Sequence, residues 1–434
     1  MKINKIYLYL FFWGLALDFK GAEEGGSYFQ YLAFIITLFG GLAFLFKNNA
    51  RDGLSKKSKR IGTLLIVNCV GSALYAVILN IEIGRHFRVA LPTYLLIVGF
   101  YTGLRLRSIG EYFIVSAMLR GAIIAIVFNF LYGYLWSDVD LNLVRYKILS
   151  PMIFIAVPIT AFYAFSVRRK VLLSSVLSIA ILTLILIGAT RSWLIAYFGV
   201  LIAAVIYRSA IESSALRSVM SGAITTVFMV SSVLFMSNFL FPDIVLRMVE
   251  RFMSYEETGF DITTATRLAE IHYQLTGWLS SPLATFLGNG VGASYGFSGA
   301  YADLVSDLLG ESGLADDWWF AGHNFWVYSL FSQGLLGGLI IPVLLVYCLY
   351  ISVKGSINRG SISKSNRSLR YERTMFILLS LFFTSFILST IGGNLIGSRM
   401  FSQYVGVCIG MVFALNFGAD SSTNRNVEQP QEGG

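Results

Sequence analysis

Residues 171–189 read VLLSSVLSIAILTLILIGA, an apolar run without a single charged side chain. As a helix rising ~1.5 Å per residue, a run of this length approaches the ~30 Å thickness of a bilayer's hydrocarbon core. Thr190-Arg191-Ser192 follows directly, and then a second apolar run over 193–207. The chain therefore reads as crossing, turning at an arginine and crossing back.

Working outward, comparable segments fall at 4–17, 28–46, 61–81, 91–104, 111–135, 148–167, 218–240, 324–351, 374–391 and 400–418. In lipid only helices and closed barrels satisfy every backbone group. A barrel would show short alternating strands, whereas these runs are long and continuous. The expected fold class is all-α, a polytopic integral membrane protein of about twelve transmembrane helices, since a span needs roughly 20 apolar residues. The membrane domain would cover 1–418, and the polar tail 419–434 would be disordered.

Composition agrees. Of 434 residues 56% are hydrophobic and 13% charged, where soluble domains carry about 25% charged residues. The three cysteines, Cys69, Cys348 and Cys408, all lie in apolar runs, which argues against a disulfide framework or a metal cluster. The net charge of +9 invites a nucleic-acid reading until its distribution is considered. Lys47 to Arg60, Arg105 and Arg107, Arg168 to Lys170, Arg208 and Arg217, and Lys354 to Arg373 all fall in alternate loops. This is the positive-inside bias: it puts both termini in the cytoplasm, and nucleic acid is not implied. Arg120 lies within the fifth apolar segment, which leaves room for an interfacial start near Ile109 and a later crossing.

With this topology the 241–322 loop lies on the outer side, together with His86, His272 and His323. The loop is acidic, with Arg247, Arg251 and Arg267 as its basic residues. Apolar spacing over 243–255 suggests an interfacial helix. Asp261-Ile262-Thr263-Thr264 offers caps for a second helix reaching about Leu279, ended by Ser280-Ser281-Pro282. Gly288-Asn289-Gly290-Val291-Gly292 reads as a flexible turn; the missing Lys-Ser/Thr after it and its place outside the ATP compartment argue against a nucleotide loop.

Three residues could carry chemistry. His323 stands where the loop meets the apolar helix expected to run to about Ile351. Helical spacing sets it above Trp326, Val327, Leu330 and Gly334, and the positive helix end disfavours imidazolium. It is either a general base or a helix cap. Gly334, Gly337 and Gly338 would admit a closely packed neighbouring helix. Arg191, at an outer turn where positive charge is unusual, is either a fork for phosphate oxygens or a snorkelling anchor. Arg267 is either a second such fork or the i,i+3 partner of Glu270. All three belong to one membrane face, which suits a substrate with a diphosphate at headgroup depth and a hydroxyl beside it. Asp138-Val139-Asp140 and the Asp18, Glu23, Glu24 group are the weaker metal candidates; no metal or other cofactor is expected.

The run Gly288-Asn-Gly-Val-Gly-Ala293, then Gly322-His323-Asn324-Phe325-Trp326-Val327, then Gln333-Gly334-Leu335-Leu336-Gly337 resembles the signature of the O-antigen ligase and O-antigen polymerase superfamily. Ala189-Thr190-Arg191-Ser192-Trp193 and Thr266-Arg267-Leu268 look like its two arginine motifs. The resemblance implies a GT-C-like transferase architecture in the bacterial inner membrane, with a large periplasmic loop over the active site. It implies glycan transfer from undecaprenyl diphosphate to a saccharide acceptor without metal or nucleotide, inverting the anomeric centre. On that pattern His323 activates the acceptor hydroxyl, and Arg191 and Arg267 hold the diphosphate. The acceptor is a lipid-linked repeat unit for a polymerase, which would work beside a chain-length regulator, or lipid A–core for a ligase. A flippase would show related halves and mid-membrane sites; no internal repeat is visible.

Overall fold

The computed structural model describes residues 2–18, 28–47, 54–105, 111–135, 148–166, 171–188, 191–211, 262–309, 319–359 and 367–417, with a few more between 224 and 246. The expected span at 218–240, the interfacial helix at 243–255, Asp138 and Asp140, and the tail lie outside the residues so described or are only touched by them. The helices are α1 (Lys2–Trp13), α2 (Tyr28–Lys47), α3 (Lys56–Ile78), α4 (Ile83–Arg105), α5 (Glu111–Leu135), α6 (Ile153–Ser166), α7 (Val171–Ile187), α8 (Arg191–Ile211), α9 (Ile262–Trp278), α10 (Pro282–Leu287), α11 (Ala300–Leu309), α12 (Phe325–Gly338), α13 (Ile340–Asn358), α14 (Arg367–Ile391) and α15 (Arg399–Phe417). Among the described residues there is no strand, and an isolated bridge joins Tyr295 to Trp319.

Among the described residues seven helices, α2 to α5 and α13 to α15, are long and apolar enough to cross a membrane. The apolar helical stretches Lys5–Leu17, Ile153–Tyr163, Leu173–Ile187 and Arg191–Tyr207, which involve α1, α6, α7 and α8, are shorter. The chain is a multi-pass α-helical membrane protein. Its outer faces fit that medium: α3 exposes Leu64, Val67, Val70, Leu74 and Val77 along one side, a stripe that water would penalise. Arg120 lies exposed in the middle of the continuous α5, so that helix shows no break between an interfacial and a crossing part.

The centre is the pair α4 and α15. Gly99 and Gly103 on α4 face Gly406 and Gly410 on α15, two small-xxx-small motifs meeting each other. A Cβ on Gly99 or Gly103 would strike the carbonyl of Gln403 or Val407, and one on Gly406 or Gly410 that of Leu96 or Phe100. Backbones that close gain dispersion contact which lipid cannot supply.

The expected continuous helix over 324–351 is broken. Gly334 has φ 60° and ψ −165° inside α12, a conformation essentially confined to glycine. The kink releases the carbonyls of Phe331 and Ser332 from their helical donors. Asn289 N then donates to Phe331 O at 2.7 Å and Gly290 N to Ser332 O at 3.0 Å. The glycine-rich stretch is thus a fixed splice rather than a loose turn, with Gly288 at φ 80° packed against Gly334. What approaches Gly334 is the end of the short helix α10 at Phe286 together with Gly288, while Gly337 faces Asn68 of α3.

Candidate active site

A short strap, Trp319 to Asn324, leads into α12 and is held group by group. Trp319 exchanges backbone hydrogen bonds with Tyr295 at 2.7 and 2.9 Å. The Tyr328 hydroxyl donates to Phe320 O at 2.7 Å, and the Tyr295 hydroxyl to Ala321 O at 3.0 Å. Gly322 lies against the Tyr328 ring, where a Cβ would meet it at 2.5 Å. Tyr295, Tyr328 and Phe331 form a small buried cluster under the strap. Burial, first, and the nearby Glu270 charge push the Tyr295 hydroxyl far above its ordinary range, so it remains a donor.

The helix cap is Asn324, whose side-chain oxygen accepts from Trp326 N at 3.0 Å and Val327 N at 3.1 Å. His323 therefore precedes the cap, and the expectation that it sits on the helix face above Trp326 is corrected. Its partner is Glu270 of α9. Glu270 Oε1 accepts from His323 N at 2.8 Å, and Oε2 lies 2.8 Å from His323 Nδ1. Gln274 Nε2 also donates to Oε1, at 2.9 Å. Glu270 is 2% exposed while the His323 side chain is 47% exposed. Burial alone would raise the Glu270 carboxyl, but the hydrogen bonds and charge of His323 outweigh it and hold the carboxyl below the usual carboxylate range. An ionised carboxylate only accepts, so Nδ1 carries the hydrogen. Nε2 is left as the basic nitrogen, the arrangement that a carboxylate imposes on a catalytic imidazole.

Arg267, one turn before Glu270 on α9, does not take it as its partner. Its Nη1 donates to Gly392 O at 2.8 Å, just past the end of α14, where a cation complements the helix dipole. Arg191 opens α8 and is half-buried. Its place is set by the residues after it: Ser192 packs onto Gly392, and Trp193 meets Phe154 edge-on at 4.9 Å. The strap reaches the same place, since Asn324 Nδ2 donates to Ile391 O at 3.3 Å and Trp326 Nε1 to Thr390 Oγ1 at 3.2 Å. Segments far apart in sequence thus converge on Thr390–Gly392, bringing the neighbourhoods of Arg191, Arg267 and His323 together. The other two histidines do not join them. His86 is buried with Nδ1 3.0 Å from Val291 O, and His272 pairs with Ser298 Oγ at 3.0 Å.

Sequence reasoning missed Glu270 as the histidine's partner and the end of α14 as the meeting point. Asp18, a weaker metal candidate, instead accepts from Arg399 Nη1 at 3.2 Å. Burial raises the Asp18 carboxyl, and the Arg399 charge opposes that rise.

A basic imidazole nitrogen fixed by a buried carboxylate can take a proton from a hydroxyl, and guanidiniums nearby can carry developing negative charge. No protein-family model matches the chain, and the search of curated proteins gives no match.

Proposed function

We propose that the chain is an inner-membrane glycosyltransferase that moves a glycan from undecaprenyl diphosphate to a sugar hydroxyl on the periplasmic side, polymerising surface-polysaccharide repeat units. The observation that carries this reading is the His323–Glu270 pair, which fixes one tautomer and orients the ring. In this mechanism His323 Nε2 takes the proton of the acceptor hydroxyl as its oxygen attacks the anomeric carbon. The bond from that carbon to the phosphate oxygen breaks, and the diphosphate leaves with the electron pair. Arg191 and Arg267 bind the departing charge, whose stabilisation counts for more where water is scarce. Attack opposite the leaving group inverts the anomeric centre. Both termini are cytoplasmic in this arrangement.

The test is deletion of the gene followed by analysis of accumulated glycan, with complementation by wild type, His323→Ala and Arg267→Ala. A polymerase leaves single repeat units on the lipopolysaccharide core; a ligase leaves long chains on undecaprenyl diphosphate. Both variants should insert normally and fail to restore transfer. Unchanged glycan in the deletion, or full complementation by His323→Ala, removes the reading.

A further inference from the structure

Trp319 and Phe320, on the strap that carries His323, also form a wall of a cavity of about 530 Å³. Arg88 and Pro92 of α4, Tyr328 of α12 and Arg399 of α15 close other sides. The volume falls within the ~300–1,000 Å³ of small-ligand sites. Two features of the walls restrict the occupant. The first is aromatic surface: Trp319 is 40% exposed, and its ring centroid lies 5.5 Å from that of His323. A sugar ring stacked on this indole would bring a hydroxyl to the imidazole. The second is charge, because the lining includes two guanidiniums and, among the described residues, no carboxylate. Arg399 is already engaged by Asp18 at 3.2 Å. Arg88 is exposed and lies over the Phe320 ring at 5.5 Å, with no ion pair to a carboxylate among the described residues. A single guanidinium fork in such a place matches one planar carboxylate.

We propose that this cavity binds the terminal sugar of the acceptor glycan, and that this sugar is acidic, stacked on Trp319 with its carboxylate paired to Arg88. The assignment of acceptor rests on the transfer reading above; the preference for an acidic saccharide does not. Arg88 is then a specificity residue that does not touch the reacting atoms, and Trp319 sets the depth at which the hydroxyl meets His323.

The test is calorimetric titration of the full-length protein in nanodiscs with cellobiouronic acid, cellobiose and inorganic pyrophosphate. Cellobiouronic acid should bind at least tenfold more tightly than cellobiose. Arg88→Gln should abolish that preference, Arg88→Lys should retain part of it, and Trp319→Leu should weaken both saccharides. Equal affinity for the two, no measurable binding of either, or a preference that survives Arg88→Gln overturns the proposal. So does pyrophosphate displacing the uronate at equal concentration, which would mark a phosphate site instead. Binding is read without turnover, so wild-type glycan in a His323→Ala strain would remove the transfer reading and leave the saccharide preference to be judged separately.

Discussion

Replacing Glu270 by glutamine is the sharpest test of the site, because the hydrogen bonds dictate its outcome. Oε1 accepts from His323 N and Gln274 Nε2, and Oε2 faces His323 Nδ1. A glutamine with its oxygen at the Oε1 position keeps both donors there and places its NH2 against Nδ1. All contacts survive if the ring switches tautomer, which puts the hydrogen on Nε2 and removes the base. The opposite amide orientation preserves the productive tautomer but sets the NH2 against the His323 backbone N–H. Regaining the productive form therefore costs about one buried hydrogen bond, ~1–3 kcal/mol. Loss of the carboxylate removes a further ~1.5–3 kcal/mol of charge-assisted stabilisation from the imidazolium formed during transfer. Together these predict a fall in turnover of roughly 10²–10⁴-fold with little change in donor KM. The assay is single-turnover transfer from a synthetic undecaprenyl-diphosphate glycan in proteoliposomes, with thermal melting to confirm folding. A folded Glu270→Gln protein within threefold of wild type would refute the dyad.

Three other outcomes follow from the structure. Gly334→Ala puts a Cβ into the backbone of Phe286 at φ 60°; it should cost about 3 kcal/mol, combining strain and overlap, read as a lowered melting temperature in detergent. Gly406→Leu drives a side chain into the Leu96 carbonyl and should abolish recovery of monodisperse protein in size-exclusion chromatography, whereas substituting the exposed Leu74 by alanine should not. The strap should also loosen in acid. Because the folded Glu270 carboxyl is held below its ordinary value of 4.5, its contribution is complete above that value and disappears as pH falls through the lower folded one. Hydrogen exchange at His323 N should accelerate, relative to the helix interior of α15, only in that acid range.

What the sequence revealed depended on how local the physics was. The segment 111–135 coincides with α5, and 171–189 ends two residues past α7, because lipid demands uninterrupted apolar runs and these are visible residue by residue. The break at Gly334 was hidden, since a glycine that packs against a helix and one that breaks a helix look alike in an apolar run. Its cause lies in Asn289 and Gly290, whose amides take over the released carbonyls. The alternative that paired Arg267 with Glu270 failed for a related reason. Spacing of three made the pair plausible, but His323, 53 residues away, supplies two hydrogen bonds to the same carboxylate. The end of α14 was invisible because two of its three contacts are made by the backbone carbonyls of Ile391 and Gly392, which have no signature in side chains.

These contacts give α9 a role that neither arginine nor histidine suggests alone. Arg267 and Glu270 stand one turn apart, near enough to be neighbours on one helical surface. The first reaches to Gly392 at the end of α14, and the second reaches to the strap. In the proposed reaction one end of that turn governs the leaving group and the other governs the base. Their separation is then fixed by the rise of a single helix, not by the packing of two independent loops. A displacement of the long outer segments would move both partners together, so a site assembled from distant parts of the chain can still hold its reacting groups in register.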